Sequence, residues 1–217
     1  MNVYLIRHGM TDGNKEGRYI GCTDEALCEE GKEQLQELLK GHQKGQQEKQ
    51  REGQRMAPSI FGSPEYVYAS PLKRCLMTAD ILYPGVLVHP IEDLKECDFG
   101  EFEYKNYHEL NGNPDYQRFI DEGGECGFPG GEDKKTFCAR VCRAFIKAMD
   151  DAEQNGYREI AFVVHGGTIM AIMEAFGVPK GDYYSWQVSN GRGFRVEYDE
   201  RKWKDRKYEL TLLNRIT

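Results

Sequence analysis

The chain has 217 residues and carries 29 Lys and Arg against 36 Asp and Glu, which gives a formal net charge of −7. At roughly 100–200 residues per domain, this length predicts a single domain covering residues 1–217. Such a chain buries enough surface to fold without a disulfide or metal staple. The acidic balance argues against a nucleic-acid partner, which would call for a net basic footprint.

The cysteines and the lengths of the apolar runs indicate a compartment. The chain has 7 Cys, an odd number with no CxxC pair, so we expect reduced thiols rather than a disulfide framework. The apolar run at the N-terminus is too short for a signal peptide, and no stretch approaches the roughly 18 apolar residues of a membrane span. These patterns predict a cytoplasmic protein with no membrane partner.

Strands and helices are expected to alternate through the first half of the chain. The expected strands are compact apolar runs, at residues 3–6, 66–69 and 86–89. The expected helices carry apolar residues at helical spacing, at residues 29–39 and 70–82. Ser70 is the expected N-cap of the second helix, with Pro71 in its first turn. The polar segment near 40–55 is predicted to be a solvated insertion or helix extension within the domain.

The second half continues this alternation and then changes character. Helices are expected at residues 133–154 and 168–176, with the strongest strand pattern of the chain between them at 159–164. The tail from 184 to 213 predicts strands joined by turns, at 190–191 and around 199–205. The whole pattern favours a three-layer α/β/α sandwich with a largely parallel central sheet that an antiparallel tail closes.

Two predicted strands end in the same unusual way, in His-Gly. These are LIRHG at residues 5–9 and VVHGG at residues 163–167. Ligands of open α/β sheets bind beyond the carboxyl ends of the strands, so His8 and His165 would face one crevice if the two strands are neighbours. Each histidine alone would fit a hydrogen-bonded structural residue, and metal ligation is the next alternative. HExxH is absent and Arg7 would repel a cation, so we expect no metal and no cofactor.

The sequence lacks several motifs that are typical of other phosphate-binding and nucleophilic sites. The chain lacks GxxxxGK[ST], has no Cys followed by Arg six positions later, and has no GxSxG elbow. Histidine remains as the candidate nucleophile.

Five segments carry a resemblance to a known family: LIRHGMTDGN (5–14), ASPLKRCLMTA (69–79), LKECDFGEFE (94–103), FPGGE (128–132) and VVHGGTI (163–169). In this order they resemble the histidine phosphatase superfamily, which includes the cofactor-dependent phosphoglycerate mutases. RHGxTxxN, SPxxRxxxTA, ExxFGxxE and a strand-end HGG are together a specific signal. The resemblance implies the phosphoglycerate mutase-like fold.

The resemblance also implies roles for individual residues. His8 matches the nucleophile that becomes phosphohistidine, and Glu96 matches the general acid, although Asp98, Glu101 and Glu103 lie nearby in the chain. The matches to the groups that donate to the phosphate are Arg7, Arg74 and His165. The matches to further substrate-binding positions are Asn14, Gly21 and Gly166. Guanidinium and imidazole donors suit the charge that phosphoryl transfer develops on oxygen.

One departure concerns Asp133, which follows PGGE where many small phosphatases of the family have Ser. We expect Asp133 to cap the helix that begins there, although its charge would also disfavour a second acidic group on the substrate. Aromatic residues at 104–128 are candidates for lining a pocket, whereas Tyr183–Trp186 is expected to pack against the tail.

The expected function is metal-independent hydrolysis of small phosphorylated metabolites, because the short chain and FPGGE resemble the α-ribazole phosphatase branch. α-Ribazole 5′-phosphate is the candidate substrate. A phosphoglycerate mutase is the alternative, but those enzymes usually carry extra segments over the site. A non-catalytic regulatory binding protein is the lesser alternative. The expected partner is a small phosphate ester, and the chain is expected to be a monomer or a homodimer paired through a tail strand near 207–213.

Overall fold

The computed structural model describes residues 1–51, 59–124 and 126–217. Within these residues, seven strands form one sheet in the order β3-β2-β4-β1-β6-β7-β5. The strands are β1 (Asn2–Arg7), β2 (Tyr66–Ala69), β3 (Val88–Pro90), β4 (Glu159–Val164), β5 (Gly177–Val178), β6 (Gly193–Tyr198) and β7 (Leu210–Ile216). Neighbours from β3 to β1 are parallel, and β6 runs antiparallel to both β1 and β7. The predicted parallel sheet with an antiparallel tail is confirmed.

The helices of the described residues lie between these strands. They are α1 (Asp12–Lys15), α2 (Glu29–Arg51), α3 (Lys73–Leu82), α4 (Tyr107–Leu110), α5 (Pro114–Asp121), α6 (Lys134–Gln154), α7 (Gly166–Phe176) and α8 (Glu200–Lys204). Of the polar segment predicted near 40–55, the part up to Arg51 continues α2, and residues 52–55 lie outside the described residues. No helix in the described ranges combines the length and apolar character needed to cross a membrane.

Residues of β1 alternate between two cores, one on each face of the sheet. Val3 and Leu5 are buried in the core that includes apolar residues of α6 and α7. Tyr4 and Ile6 are buried in the core that includes apolar residues of α2 and α3. Since successive strand residues point to opposite faces, the helices form a layer on each side of the sheet. The predicted three-layer α/β/α sandwich is confirmed.

The start of α3 differs from the prediction that Ser70 caps it. The helix begins at Lys73, and its N-cap Leu72 makes no side-chain cap bond. Instead, the Asp24 carboxylate accepts from the Lys73 N–H at 2.7 Å, and Ser70 Oγ lies 2.8 Å from His165 Nε2. A buried imidazole needs a polar partner, and this requirement draws Ser70 away from the helix end.

The start of α7, the cap of α6 and the pairing of β7 can also be compared with the prediction. α7 begins two residues earlier than predicted, with His165 as its N-cap residue. Asp133 caps α6 as expected, because its side chain accepts from Thr136 N–H at 2.8 Å. β7 is not an edge strand along its whole length, because β5 pairs with its residues Leu210 and Thr211.

Candidate active site

The two strand-end histidines meet at one edge of the sheet. β1 and β4 are adjacent and parallel, with Arg7 opposite Val164, so the next residues of both strands leave the sheet together. The rings of His8 and His165 lie 5.2 Å apart between centroids, and the two residues are 4% and 0% exposed. The sequence argument that both would face one crevice requires this strand pairing, which the structure shows.

His8 is held as a neutral imidazole with one nitrogen committed to the backbone. Its Nδ1 lies 2.7 Å from the Gly9 carbonyl oxygen, and a carbonyl only accepts, so Nδ1 carries the proton and Nε2 keeps its lone pair. Burial, with the charges of Arg74 and Arg7, holds the pKa of His8 well below its ordinary value. His8 therefore presents an uncharged nucleophilic nitrogen at neutral pH.

The backbone of His8 is fixed by a residue from the far end of the chain. Asn190 Nδ2 donates to the His8 carbonyl oxygen at 3.2 Å and to Asn14 Oδ1 at 2.9 Å. The N–H of Gly191 also donates to His8 O, at 3.1 Å. The turn at residues 190–191 was predicted only as a turn, and the sequence carries no signal that it returns to His8.

Arg7 lies against the N-terminal end of α7. A Cβ added at Gly166 would stand 3.5 Å from the Arg7 guanidinium carbon, an ordinary van der Waals distance, so the guanidinium packs directly against the first turn of this helix. Arg7 Nη1 donates to the Val188 carbonyl oxygen at 2.8 Å, while Nε is buried without a partner among the described residues. Burial lowers the pKa of Arg7, and the Glu96 carboxylate opposes that shift.

Glu96 is the carboxyl group that reaches the same crevice. Its two oxygens accept from the N–H groups of Cys97 at 3.0 Å and Gly167 at 2.9 Å. Burial raises the pKa of Glu96, against the opposing influence of these two N–H groups, Arg7 and Arg74. A buried carboxyl whose pKa is raised can hold a proton and release it, as a general acid requires.

The other carboxylates of this segment are engaged or directed elsewhere. Asp98 accepts from Gly100 N–H at 2.9 Å, Glu101 is exposed, and Glu103 accepts from the loop at residues 21–23. Of the four carboxylates at 96–103, only Glu96 lines the cleft described below.

Arg74 and His165 lie beneath the crevice and contact each other. Arg74 is 0% exposed, and its Nε donates to His165 Nδ1 at 3.3 Å. Because Nδ1 accepts, the neutral His165 ring carries its proton on Nε2, which donates to Ser70 Oγ. Burial, followed by the charge of Arg74, holds the pKa of His165 well below its ordinary value.

The remaining predicted binding residues divide into two groups. Asn14 and Gly166 line the cleft, and Asn14 also accepts from Thr11 N–H in the capping box of α1. The Gly21 N–H instead donates to the Glu103 carboxylate at 3.0 and 3.1 Å. The structure therefore brings Asn14 and Gly166 to the crevice and engages the Gly21 amide outside it.

A cleft of about 430 Å³ opens above His8 and Glu96. Its Phe and Tyr lining residues are Tyr19, Phe99, Phe119, Phe128, Phe137, Tyr183 and Tyr184, and Arg18 and Lys134 also line it. Tyr19, Phe99 and Phe128 contact one another, with ring centroids 4.9–6.1 Å apart. This lining can hold an apolar or aromatic group beside the polar end that His8, Arg7 and Glu96 form.

The aromatic lining is only partly as predicted. Phe119 and Phe128 line the cleft, but Tyr104 and Tyr107 are exposed. Tyr183 was expected to pack against the tail, yet it lines the cleft, and its hydroxyl donates to the Gly167 carbonyl oxygen at 3.3 Å. No local pattern places Tyr183 there, since the site residues that share the cleft with it, such as His8 and Glu96, come from distant parts of the chain.

Comparison with known proteins adds a family match over nearly the whole chain. Residues 3–211 match the model of the histidine phosphatase superfamily (branch 1). The chain is 26% identical over 211 residues to phosphoserine phosphatase 1 of Hydrogenobacter thermophilus, which covers 93% of this chain and 89% of the relative. It is 25% identical over 206 residues to the adenosylcobalamin/α-ribazole phosphatase of Escherichia coli. That alignment covers 93% of this chain and 92% of the Escherichia coli protein.

A solved structure supports the fold independently. The α-ribazole phosphatase from Shigella flexneri matches 100% of this chain and 96% of its own length, with a TM-score of 0.78 and 24% identity. This likeness concerns the fold, and it confirms the expected phosphoglycerate mutase-like architecture.

Proposed function

Because the chain belongs to the histidine phosphatase superfamily and is a phosphatase, we propose that it hydrolyses small phosphate monoesters through a phosphohistidine formed on His8. The observation that carries the proposal is that one cleft is lined both by an uncharged, buried imidazole and by Glu96, a carboxyl whose pKa is raised. The two groups supply the nucleophile and the acid that ester cleavage requires.

In the first step, His8 Nε2 attacks phosphorus as the bond from phosphorus to the ester oxygen breaks. The protonated Glu96 donates its proton to the leaving oxygen, so an alcohol departs and Glu96 becomes a carboxylate. In the second step, Glu96 takes a proton from water, which attacks the phosphohistidine and releases inorganic phosphate. His8 is restored and Glu96 is protonated again.

Charge on the transferred phosphoryl group is the main demand that the site must meet. Arg7 and the N-terminus of α7 at Gly166 line the cleft and supply donors for it. Arg74 and His165 add charge and polarity from beneath, since Arg74 contributes to the lowered pKa of both histidines.

The same charges support a reaction that needs no metal. Arg7 and Arg74 oppose protonation of His8 because their guanidinium groups act on it electrostatically. They would oppose a divalent cation at that nitrogen for the same reason. The proposal therefore assigns transition-state stabilisation to the chain's own cations, with no cofactor.

The cleft lining favours a substrate with an apolar or aromatic group next to the phosphate. α-Ribazole 5′-phosphate, which combines a ribose phosphate with a benzimidazole, fits that description, and one curated relative is named for activity on α-ribazole. We place this activity in the cytoplasm, with a monomer or homodimer acting on a small molecule, consistent with seven cysteines that are all free.

The test is a panel of phosphate monoesters assayed for phosphate release in EDTA, beside an assay of 3-phosphoglycerate to 2-phosphoglycerate conversion. We expect release from esters with aromatic groups, with α-ribazole 5′-phosphate ahead of phosphoserine, and no conversion. Conversion without release would replace the proposal with a mutase. If EDTA abolished phosphate release, the reaction would not be independent of metal. If folded protein showed neither phosphate release nor conversion, a regulatory role would be favoured.

A further inference from the structure

Glu103 ends the ExxFGxxE motif, and the mechanism above gives it no role. Its carboxylate accepts from the Gly21 N–H at 3.0 and 3.1 Å. It also accepts from the Thr23 N–H at 2.8 Å and from the Thr23 hydroxyl at 2.7 Å. This half-buried carboxylate thus accepts hydrogen bonds from two backbone N–H groups and one hydroxyl of the loop at residues 20–23.

The carbonyl groups of the same loop surround the guanidinium of Arg74. Ile20 O and Gly21 O accept from Arg74 Nη2 at 3.2 and 2.9 Å. Thr23 O accepts from Arg74 Nη1 at 2.6 Å. The peptide group that joins Ile20 to Gly21 therefore has its carbonyl on the guanidinium and its N–H on the Glu103 carboxylate.

This arrangement places one peptide dipole between two opposite charges. In a trans peptide the C=O and N–H bonds point in opposite directions, so the positive end of the dipole faces Glu103 and the negative end faces Arg74. A buried cation needs acceptors or an opposite charge to offset its lost hydration. Among the described residues, the hydrogen-bond partners of the Arg74 guanidinium are these three carbonyls and His165, so Glu103 supplies negative charge through the peptide.

Backbone packing keeps the loop in this position. A Cβ added at Gly21 would collide with the Cys97 carbonyl oxygen, so the loop lies directly against the segment that carries both Glu96 and Glu103. The next loop residue, Asp24, accepts from Lys73 N–H at the start of α3, the helix that carries Arg74. The loop is thus fixed both to the segment that carries Glu96 and Glu103 and to α3.

We propose that Glu103 is a positioning residue of this active site, which fixes the loop at residues 20–23 against Arg74 and through Arg74 sets the orientation and tautomer of His165. The inference rests on the proposed function for its kinetic consequence. Its structural consequence, the state of the His165 ring, does not depend on any activity.

The main test is Glu103→Gln, which keeps the size of the side chain, removes its charge and replaces one acceptor with a donor. Glu101→Gln is the matched control, because Glu101 is exposed and two residues away. We expect Glu103→Gln to lower kcat/KM for p-nitrophenyl phosphate by about 10- to 100-fold, by analogy with the loss of residues that orient the ligands of metal sites. Glu101→Gln should match the wild type.

Nitrogen-15 spectra of the histidine rings separate positioning from a general loss of stability. The wild-type His165 should show one tautomer with its proton on Nε2, and Glu103→Gln should show an averaged or altered signal. A lower melting temperature with unchanged kcat/KM and unchanged His165 signals would overturn the proposal.

Two further outcomes remain decisive. If Glu103→Gln does not fold, Thr23→Val replaces it, since this variant removes one hydrogen bond to Glu103 and leaves all charges in place. Wild-type kinetics and wild-type His165 signals in folded Thr23→Val would then overturn the inference. If the wild-type protein releases no phosphate from any ester, the proposed function fails, and the ring spectra alone decide the role of Glu103.

Discussion

Two neutral imidazoles beside two guanidinium groups define the site at the scale of single residues. The charge of Arg74 contributes to the lowered pKa of both His8 and His165, after burial, which is the larger cause. Positive charge is thus confined to the arginines, and the histidines keep their lone pairs. This division suits the proposed phosphate site, because the cations would attract the substrate while His8 stays unprotonated.

Replacing His8 tests the nucleophile directly. His8→Asn keeps a polar side chain that can donate to the Gly9 carbonyl but removes the attacking nitrogen. We expect kcat to fall by on the order of 10³-fold or more, as for other nucleophile deletions. Initial rates with p-nitrophenyl phosphate measure it, with His108→Asn as the exposed control. Retention of most of the wild-type rate by folded His8→Asn would remove His8 from this role.

Replacing Glu96 tests the general acid through its dependence on the leaving group. Glu96→Gln cannot donate a carboxyl proton, and general acid catalysis is worth about 10²- to 10⁴-fold. Alkyl phosphates, whose leaving oxygen is strongly basic, should lose activity over that range, and p-nitrophenyl phosphate should lose much less. A comparison of kcat/KM for both esters provides the measurement. Equal losses would argue against the assignment.

The lowered histidine pKa values predict a pH dependence of stability. Below the ordinary histidine pKa of about 6.5, the unfolded chain takes up protons that the folded protein does not. The contribution of these histidines to the free energy of unfolding is therefore fully present above that value. It is lost as the pH decreases below it, by up to about 1.4 kcal/mol per pH unit for each histidine. Glu96 acts oppositely, because its raised pKa gives the folded state more protons between the ordinary value and the raised one.

Urea denaturation across mildly acid pH measures this effect. His8→Asn should reduce the slope of unfolding free energy against pH relative to the wild type. His108→Asn serves again as the control, since His108 is exposed. Equal slopes in the wild type and His8→Asn would show that His8 titrates normally in the folded protein.

At the scale of elements, helix ends show what a local pattern can and cannot predict. Asp133 lies directly before its helix, so the cap was visible in the sequence. Asp24, which binds the first N–H of α3, is separated from Lys73 by 49 positions, and no local pattern contains it. Ser70 carries a local cap signal, but its contact with His165 overrides that signal.

Asp133→Ala should lower the melting temperature by a few degrees, because Thr136 N–H then loses its partner at the start of α6. Asp133→Asn should largely preserve it, since asparagine also caps helices. If Asp133 acts only as a cap, neither variant should change the ranking of substrates. Thermal unfolding and the ester panel give both readouts. A changed preference for doubly acidic substrates in both variants would show that Asp133 also selects substrates.

The active site was predictable to the extent that its residues sit in recognisable local patterns. His8, His165 and the segment of Glu96 each lie at a strand end or in a distinctive motif. The positions of Asn190 and Tyr183, and the contact between Gly21 and Glu103, depend on loops that are distant in sequence. These loops meet only after the sheet has formed, and single-sequence patterns do not record such meetings.

At the scale of the whole molecule, aromatic contacts join the sheet to the helical layer on one of its faces. Phe162 of β4 is 0% exposed and contacts Tyr68 at 5.1 Å and Phe145 at 4.8 Å between ring centroids. It therefore joins neighbouring strands to α6 in the core below the cleft.

Phe162→Ala should reduce the unfolding free energy by about 3–5 kcal/mol, the usual cost of emptying a buried phenylalanine site. Leu87→Ala, at a residue that is 67% exposed, should change it by less than about 0.5 kcal/mol. Urea denaturation of both variants provides the comparison. A small loss for Phe162→Ala would show that this core collapses readily around a missing ring.

The position of β1 in the sheet has a consequence for the order of events during synthesis. β1 is made before its neighbours β4 and β6, which begin at residues 159 and 193. Pairings of such long range form slowly, and β1 has neither partner until those residues have been translated. His8, which follows β1 directly, is therefore placed at the edge of the sheet long after it has left the ribosome.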